Sequence, residues 1–305
     1  MHESSRPYGP FRERIDAFAR DVEGVEAGDV EALHRARVAS RRLRELLPLL
    51  GLEHDVARTL GRRLRKATRQ LGAVRELDVL LLLARELAED GRYSVAALRP
   101  IGAAAAQGLA SARESLSAKL PRARLERLVR ALERALNHLQ SGDAKPGRSH
   151  ANGRRQAWRW ALEARLVHRA ARLREAIGAA GAVYVPEPLH RVRIAVKKLR
   201  YTLELAGEVT RKRTDDDLAA LKAAQDLLGR LHDLGVLLDR AREAQALVSP
   251  PDLRASRDLS SLVHAVEDDC RRLHARYMRN RTELMAIANR MAAPRAQHVA
   301  RRAAV

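Results

Sequence analysis

Residues 33–51 read LHRARVASRRLRELLPLLG, and residues 189–207 read LHRVRIAVKKLRYTLELAG. Ten of the 19 aligned positions are identical. A second pair follows: LRKATRQLGAVRELDVLLLLARE at 64–86 and LKAAQDLLGRLHDLGVLLDRARE at 221–243, with 11 identities in 23. The offset is 156 residues in the first pair and 157 in the second, so the connection between the two stretches is one residue longer in the second copy. The chain is an internal duplication. Its repeated unit centres on a helix that carries a histidine, five Lys or Arg residues and no acid between Leu33 and Arg44, and again between Leu189 and Arg200.

Helical periodicity sorts these residues into two faces. At 100° per residue, His34, Arg37, Arg41 and Arg44 fall within about 80° of one another, with Arg35 and Arg42 flanking them. Leu43, Leu46, Leu47 and Leu50, with Ala36 and Ala39, take the opposite face. The second copy aligns His190, Arg193, Lys197 and Arg200, with Arg191 and Lys198 beside them. One side is thus expected to pack into a core, while the other presents cations about 5–6 Å apart. Solvated helix faces usually interleave Glu and Asp, because like charges at i,i+4 repel by a few tenths of a kcal/mol. Two rows without that compensation point to an anion site.

The next segment extends the charge. From Val56 to Arg75 there are seven cations and no acid. Among them Arg58, Arg62, Arg65 and Arg69 share a face at i, i+4, i+7 and i+11. The corresponding stretch of the second half keeps Lys222 and Arg230 and adds Asp226 and Asp233, so unequal contributions are expected. Leu71-Gly72 and Leu228-Gly229 fall mid-helix, where glycine costs about 1 kcal/mol relative to alanine; close approach of a neighbouring helix is the expected reason. Glu76 and Asp233, four residues further on, are placed either to orient nearby arginines or to face solvent. Asp215–Asp217 reads as helix capping and dipole compensation rather than a metal cluster.

Composition agrees with helices throughout. Among 305 residues, 46% are apolar but 3% aromatic, and Leu and Ala dominate over β-branched residues. Helical segments are expected at about 10–22, from the Asp29 N-cap to Gly51, at 53–90 stopping at Gly91, at 94–118, and from Pro121 to about 140. Residues 141–155, SGDAKPGRSHANGRR, read as a linker. The second half repeats the plan at about 155–180, at 186–209, from Thr214 onward, and from Pro250 and Pro251 to about 292, before a basic tail at 293–305. This organisation gives an all-α fold of two antiparallel four-helix bundles, 10–140 and 156–292, related by the duplication.

The formal charge is +20, and the sequence pI is near 11.2. Such an excess predicts a polyanionic partner and says nothing about fold. A single cysteine, Cys270, excludes an internal disulfide and a thiolate metal cluster and fits a reducing compartment. The N-terminus lacks the apolar core of a signal peptide. Val79–Ala84 is the longest apolar run, far short of the roughly 20 residues that span a bilayer. A cytoplasmic protein without a membrane role is expected.

The second-copy stretch from His190 to Glu204, followed by Gln225-Asp-Leu-Leu-Gly229 and His232-Asp233, resembles the CHAD family, named for conserved histidines on an α-helical domain. The first copy matches through His34, Arg37, Arg41, Arg42 and Arg44, then Leu71-Gly72 and Arg75-Glu-Leu-Asp78. The resemblance spans about 10–292. It implies two four-helix bundles about a pseudo-twofold axis, with a basic cavity between them that binds inorganic polyphosphate. By the same resemblance the site falls on His34, Arg35, Arg37, Arg41, Arg42 and Arg44, and on His190, Arg191, Arg193, Lys197, Lys198 and Arg200. The face of the following helix adds Arg62, Arg65, Arg69 and Lys222. Gly235 stands where the first copy has Asp78, which argues against a fully symmetric site.

Relatives often carry a CYTH triphosphatase-type domain. Its ExExK signature is not found here, so a stand-alone binding module without cofactor is expected, associated with polyphosphate granules. Nucleic-acid binding is the alternative that charge permits, but two Phe, two Trp and five Tyr are few for a stacking platform. A phosphate-processing enzyme is the weaker alternative, since no GxxxxGK[ST] or HExxH is found and the acidic run Asp215–Asp217 reads as helix capping.

Overall fold

The computed structural model describes residues 8–143, 148–210, 214–247 and 252–293. Part of the expected linker and the tail from residue 294 onward lie outside these, as do Pro250 and Pro251. Among the described residues every regular element is helical. The order is α1 (Tyr8–Arg20), α2 (Val22–Glu26), α3 (Val30–Leu46), a 3₁₀ turn (Leu47–Leu49), α4 (His54–Glu89), α5 (Val95–Lys119), α6 (Arg122–Asp143), α7 (Arg148–Ala180), α8 (Pro186–Thr210), α9 (Asp215–Ala246) and α10 (Leu253–Ala292). The chain forms two compact units, one of residues 1–158 with 233–270, the other of 159–232 with 271–305.

Local chemistry sets the helix ends. Asp29 caps α3, accepting from the Ala32 amide at 2.5 Å, and Ser94 caps α5 by accepting from Ala97. These side chains satisfy amides that the first turn leaves without a partner. Gly51 adopts φ 64° after α3 and its 3₁₀ turn, and Gly181 adopts φ 62° after α7. An L side chain in that left-handed region is strained, so glycine stops both helices where the sequence predicts. Three features were not foreseen. The short α2 follows α1 almost at once, Leu47–Leu49 tightens into 3₁₀ geometry, and α7 begins inside the stretch read as linker.

In the first unit, α3 packs on α1, α2 and α4, while α4 also meets α5 and α6. Its core takes Phe11 and Phe18 from α1, Leu33, Leu43 and Leu46 from α3, Leu64 and Leu71 from α4, and Leu132 from α6, all fully buried. The apolar face expected on α3 is buried as predicted, through Ala36, Ala39, Leu43, Leu46, Leu47 and Leu50. A buried polar contact sets the register: the Ser40 and Thr68 hydroxyls share a hydrogen bond of 3.0 Å between α3 and α4. In the second unit, α7 contributes Leu173 and Ile177, α8 contributes Val192, Val196 and Leu199, α9 contributes Leu221 and Leu228, and α10 contributes Tyr277 and Ile287. Asp217 in the acidic first turn of α9 meets Arg290 of α10 at 2.5 Å. That carboxylate therefore ties two helices together.

Replacing Asp29 by Ala should lower stability by about 1 kcal/mol through loss of the α3 cap. A lowered urea midpoint at unchanged slope is the expected result.

Candidate functional site

The Ser40–Thr68 contact brings the cationic face of α3 against α4. A groove of about 390 Å³ lies there, lined by Arg37 and Arg44 from α3 and by Arg65, Thr68, Arg69 and Gly72 from α4, with Ala73 and Glu76 at its far end. Four guanidinium groups thus share one groove with one carboxylate. Glu76 is mostly exposed and lies 3.9 Å from Arg37, a long ion pair at best. Arg62, Arg65 and Arg69 make no hydrogen bond or ion pair with any described residue.

Gly72 has a specific reason here. A Cβ built on it would lie 3.3 Å from Arg37 Nε and 3.4 Å from Arg37 Nη2, tighter than ordinary contact. The missing side chain lets an arginine lie against the helix, so the expected close approach of a neighbouring helix is corrected to that of a guanidinium. At Gly229 an added Cβ meets nothing within 4 Å. The two glycines occupy equivalent places in the duplication without equivalent contacts.

The electrostatics follow from the crowding. Partial burial holds the His34 imidazole below the ordinary histidine value although the residue keeps an open surface; the Arg75, Arg37 and Arg41 charges act in the same sense and Glu31 opposes them. Burial likewise pulls Arg44 below the usual guanidinium value, aided by Arg65 and opposed by Glu45. In both places a bound anion would favour the charged form against the cost of burial.

The second copy is built differently. On α8, His190 packs tilted against His232 of α9, with ring centroids 4.7 Å apart. His232 is held down to about 4, first by burial and then by the charges of Arg193, His190 and Lys197. Arg193 and Lys197 therefore stand close to that ring. His232 occupies the place of Arg75 in the alignment, so a histidine faces a cation in one copy and another histidine in the other. The site prediction omitted His232 and Arg75, although the 157-residue offset pairs them.

Several predicted residues have partners within the fold. Arg35 turns aside to Asp21, its Nε 2.8 Å from a carboxylate oxygen. Arg200 donates to Gln225 at 3.1 Å, pairs with Glu204 and lies over the Tyr201 ring. Arg191 and Lys198 line a separate cleft of about 310 Å³ with Arg169, Arg172 and Glu175 of α7. Arg42 is half-buried on the flank of α3, and Lys222 is exposed on α9. Asp78 is drawn inward, 4% exposed, with a carboxylate oxygen 3.6 Å from Arg113 of α5. Among the described residues no group of three or more His, Cys, Asp or Glu could hold a metal ion, and no helix is long and apolar enough to cross a membrane.

Gly229→Ala should stabilise the protein by up to about 1 kcal/mol, the helix propensity gain in open space. Gly72→Ala should gain less, because the Arg37 guanidinium must move; paired denaturation curves measure the difference. The His232 ring should titrate near pH 4 by NMR. Because this value lies below that of an unfolded histidine, near 6.5, the contribution of His232 to stability is complete above that pH and declines as pH falls toward about 4.

Comparison with known proteins supports a family assignment. The model of the CHAD domain matches residues 10–242. The crystal structure of the CHAD domain from the plant Ricinus communis is similar over 96% of this chain and 92% of that one, with 25% identity and a TM-score of 0.58. No curated protein matches the chain. With the matched region covering most of its length and including both cationic rows, the chain belongs to the CHAD domain family.

Proposed function

We propose that this protein binds inorganic polyphosphate, without processing it, through the cationic rows of α3 and α8 and the facing surfaces of α4 and α9. The observation that carries this reading is the α3–α4 groove, where Arg37, Arg44, Arg65 and Arg69 converge with a single carboxylate at the edge. Arginine suits the task because its planar guanidinium grips phosphate oxygens by two parallel charge-assisted bonds. Release of counterions from the polymer would add to affinity. In the second unit His190, Arg193, Lys197 and His232 are the equivalent group, with Arg191 and Lys198 turned to the α7 cleft.

The repeated architecture belongs to this reading, as two four-helix bundles that each supply one row. So does a cytoplasmic location beside polyphosphate granules, which a fluorescent fusion would reveal. Nucleic acid is the competing ligand. Against it stands the placement of the aromatic residues: Tyr201 is covered by Arg200, and no ring lines the α3–α4 groove. Polyphosphate should therefore displace DNA of equal phosphate content, and the reverse result would favour the alternative. Catalysis is not proposed, since the groove offers guanidiniums and Asp78 is held by Arg113. Incubation with Mg²⁺ or Mn²⁺ should release no phosphate.

Reversing charge at Arg37, Arg41, Arg193 and Lys197 to Glu together should weaken binding by at least about 1,000-fold at low salt, since each charged hydrogen bond contributes about 1.5–3 kcal/mol. Circular dichroism should show unchanged helicity. Binding should also take up protons. A polyanion beside His34 and His232 stabilises their imidazolium forms and raises both values, so affinity should rise as pH falls through the raised values. Calorimetry in buffers of different ionisation enthalpy reads that uptake, and His34→Asn with His232→Asn should remove it.

A further inference from the structure

A second basic cleft lies on the other side of α4. Arg63 and Lys66 of α4 meet Arg124 and Arg127 of α6 around a volume of about 380 Å³, with Leu120 and Leu128 as an apolar floor. No acid lines it. Arg63 and Lys66 are exposed and make no hydrogen bond or ion pair with a described residue. Arg124 spends one nitrogen on the Lys119 carbonyl at the end of α5, and Arg127 uses Nε on the Ala123 carbonyl. These contacts orient the two guanidiniums and leave their remaining donors for a ligand.

The helix surface connects this cleft with the α3–α4 groove. Arg69 and Arg65 are four apart, Arg65 and Arg62 three apart, Arg62 and Lys66 four apart, and Lys66 and Arg63 three apart. Such neighbours on a helix stand about 5–6 Å from one another. The five side chains are all exposed, so an unbroken ladder of cations passes round α4 from one cleft to the other.

We propose that the α4–α6 cleft is a second polyanion subsite, and that a long phosphate polymer leaving the α3–α4 groove crosses α4 at Arg62 and enters it. This rests on the reading of the groove as a polyphosphate site. Its consequence is a preference for chain length: a long polymer occupies both places, whereas tripolyphosphate occupies one at a time.

The test measures binding of long-chain polyphosphate to the full chain, to Arg63→Ser/Lys66→Ser/Arg127→Ser, and to Arg20→Ser/Arg85→Ser/Arg99→Ser. The last variant removes equal charge from exposed residues of the same unit outside both clefts. The cleft variant should lose about tenfold or more in affinity and the control less than about twofold. Arg63→Gln/Lys66→Gln, checked by circular dichroism, gives the same comparison with milder changes. Equal losses in cleft and control variants would overturn the proposal, as would no loss in the cleft variants. If the groove reversals at Arg37 and Arg41 leave binding intact while the cleft variants weaken it, the reading of the groove fails and the cleft stands alone.

Discussion

Like charges three and four residues apart on one helix repel, and α3 and α8 each carry a row of them with no acid in the row. The penalty is a few tenths of a kcal/mol for each pair. On the opposite face, burial of a leucine side chain contributes about 1.5–3 kcal/mol. Leu33, Leu43 and Leu46 on α3, and Val192, Val196 and Leu199 on α8, are fully buried. Packing therefore outweighs the repulsion, and the fold can hold the cations together on one face. That surplus of positive potential is what the rest of the molecule arranges.

The arrangement separates cations that engage acids and amides of the fold from others that do not. Arg35 secures Asp21, Arg113 secures Asp78, and Arg200 is held by Gln225 and Glu204. These side chains fix helix positions in the manner of ordinary polar contacts. Arg62, Arg65 and Arg69 have no such engagement. The two copies have diverged within this scheme. Where the first unit sets Arg75 beside His34, the second sets His232 against His190, exchanging a permanent charge for a ring that is neutral in the folded state near neutral pH.

Much of the helical framework was legible in the residues. The Asp29 cap and the stops at Gly51, Gly91 and Gly181 depend on local backbone chemistry, which sequence carries directly. The cationic and apolar faces of α3 and α8 were legible for a similar reason, since a 3.6-residue period sorts them before any neighbour is known. The pairings between helices were not. Nothing in the α3 sequence alone sends Arg35 to Asp21, or lays Arg37 against the bare backbone at Gly72. The contact of His190 with His232 needed α8 and α9 to be packed. α7 begins at Arg148, inside the stretch whose Gly, Pro, Ser and Asn content reads as a linker, so helix continuity overrides local turn preference there.

The salt dependence of polyphosphate binding tests the central claim most directly, because it counts the phosphates that these side chains neutralise. A plot of log affinity against log salt should be linear and steeply negative, losing about 0.7 for each phosphate contacted on a single-stranded polymer. A slope near zero, or no binding at low salt, would contradict the claim that the cations of α3, α4 and α8 hold a polyanion.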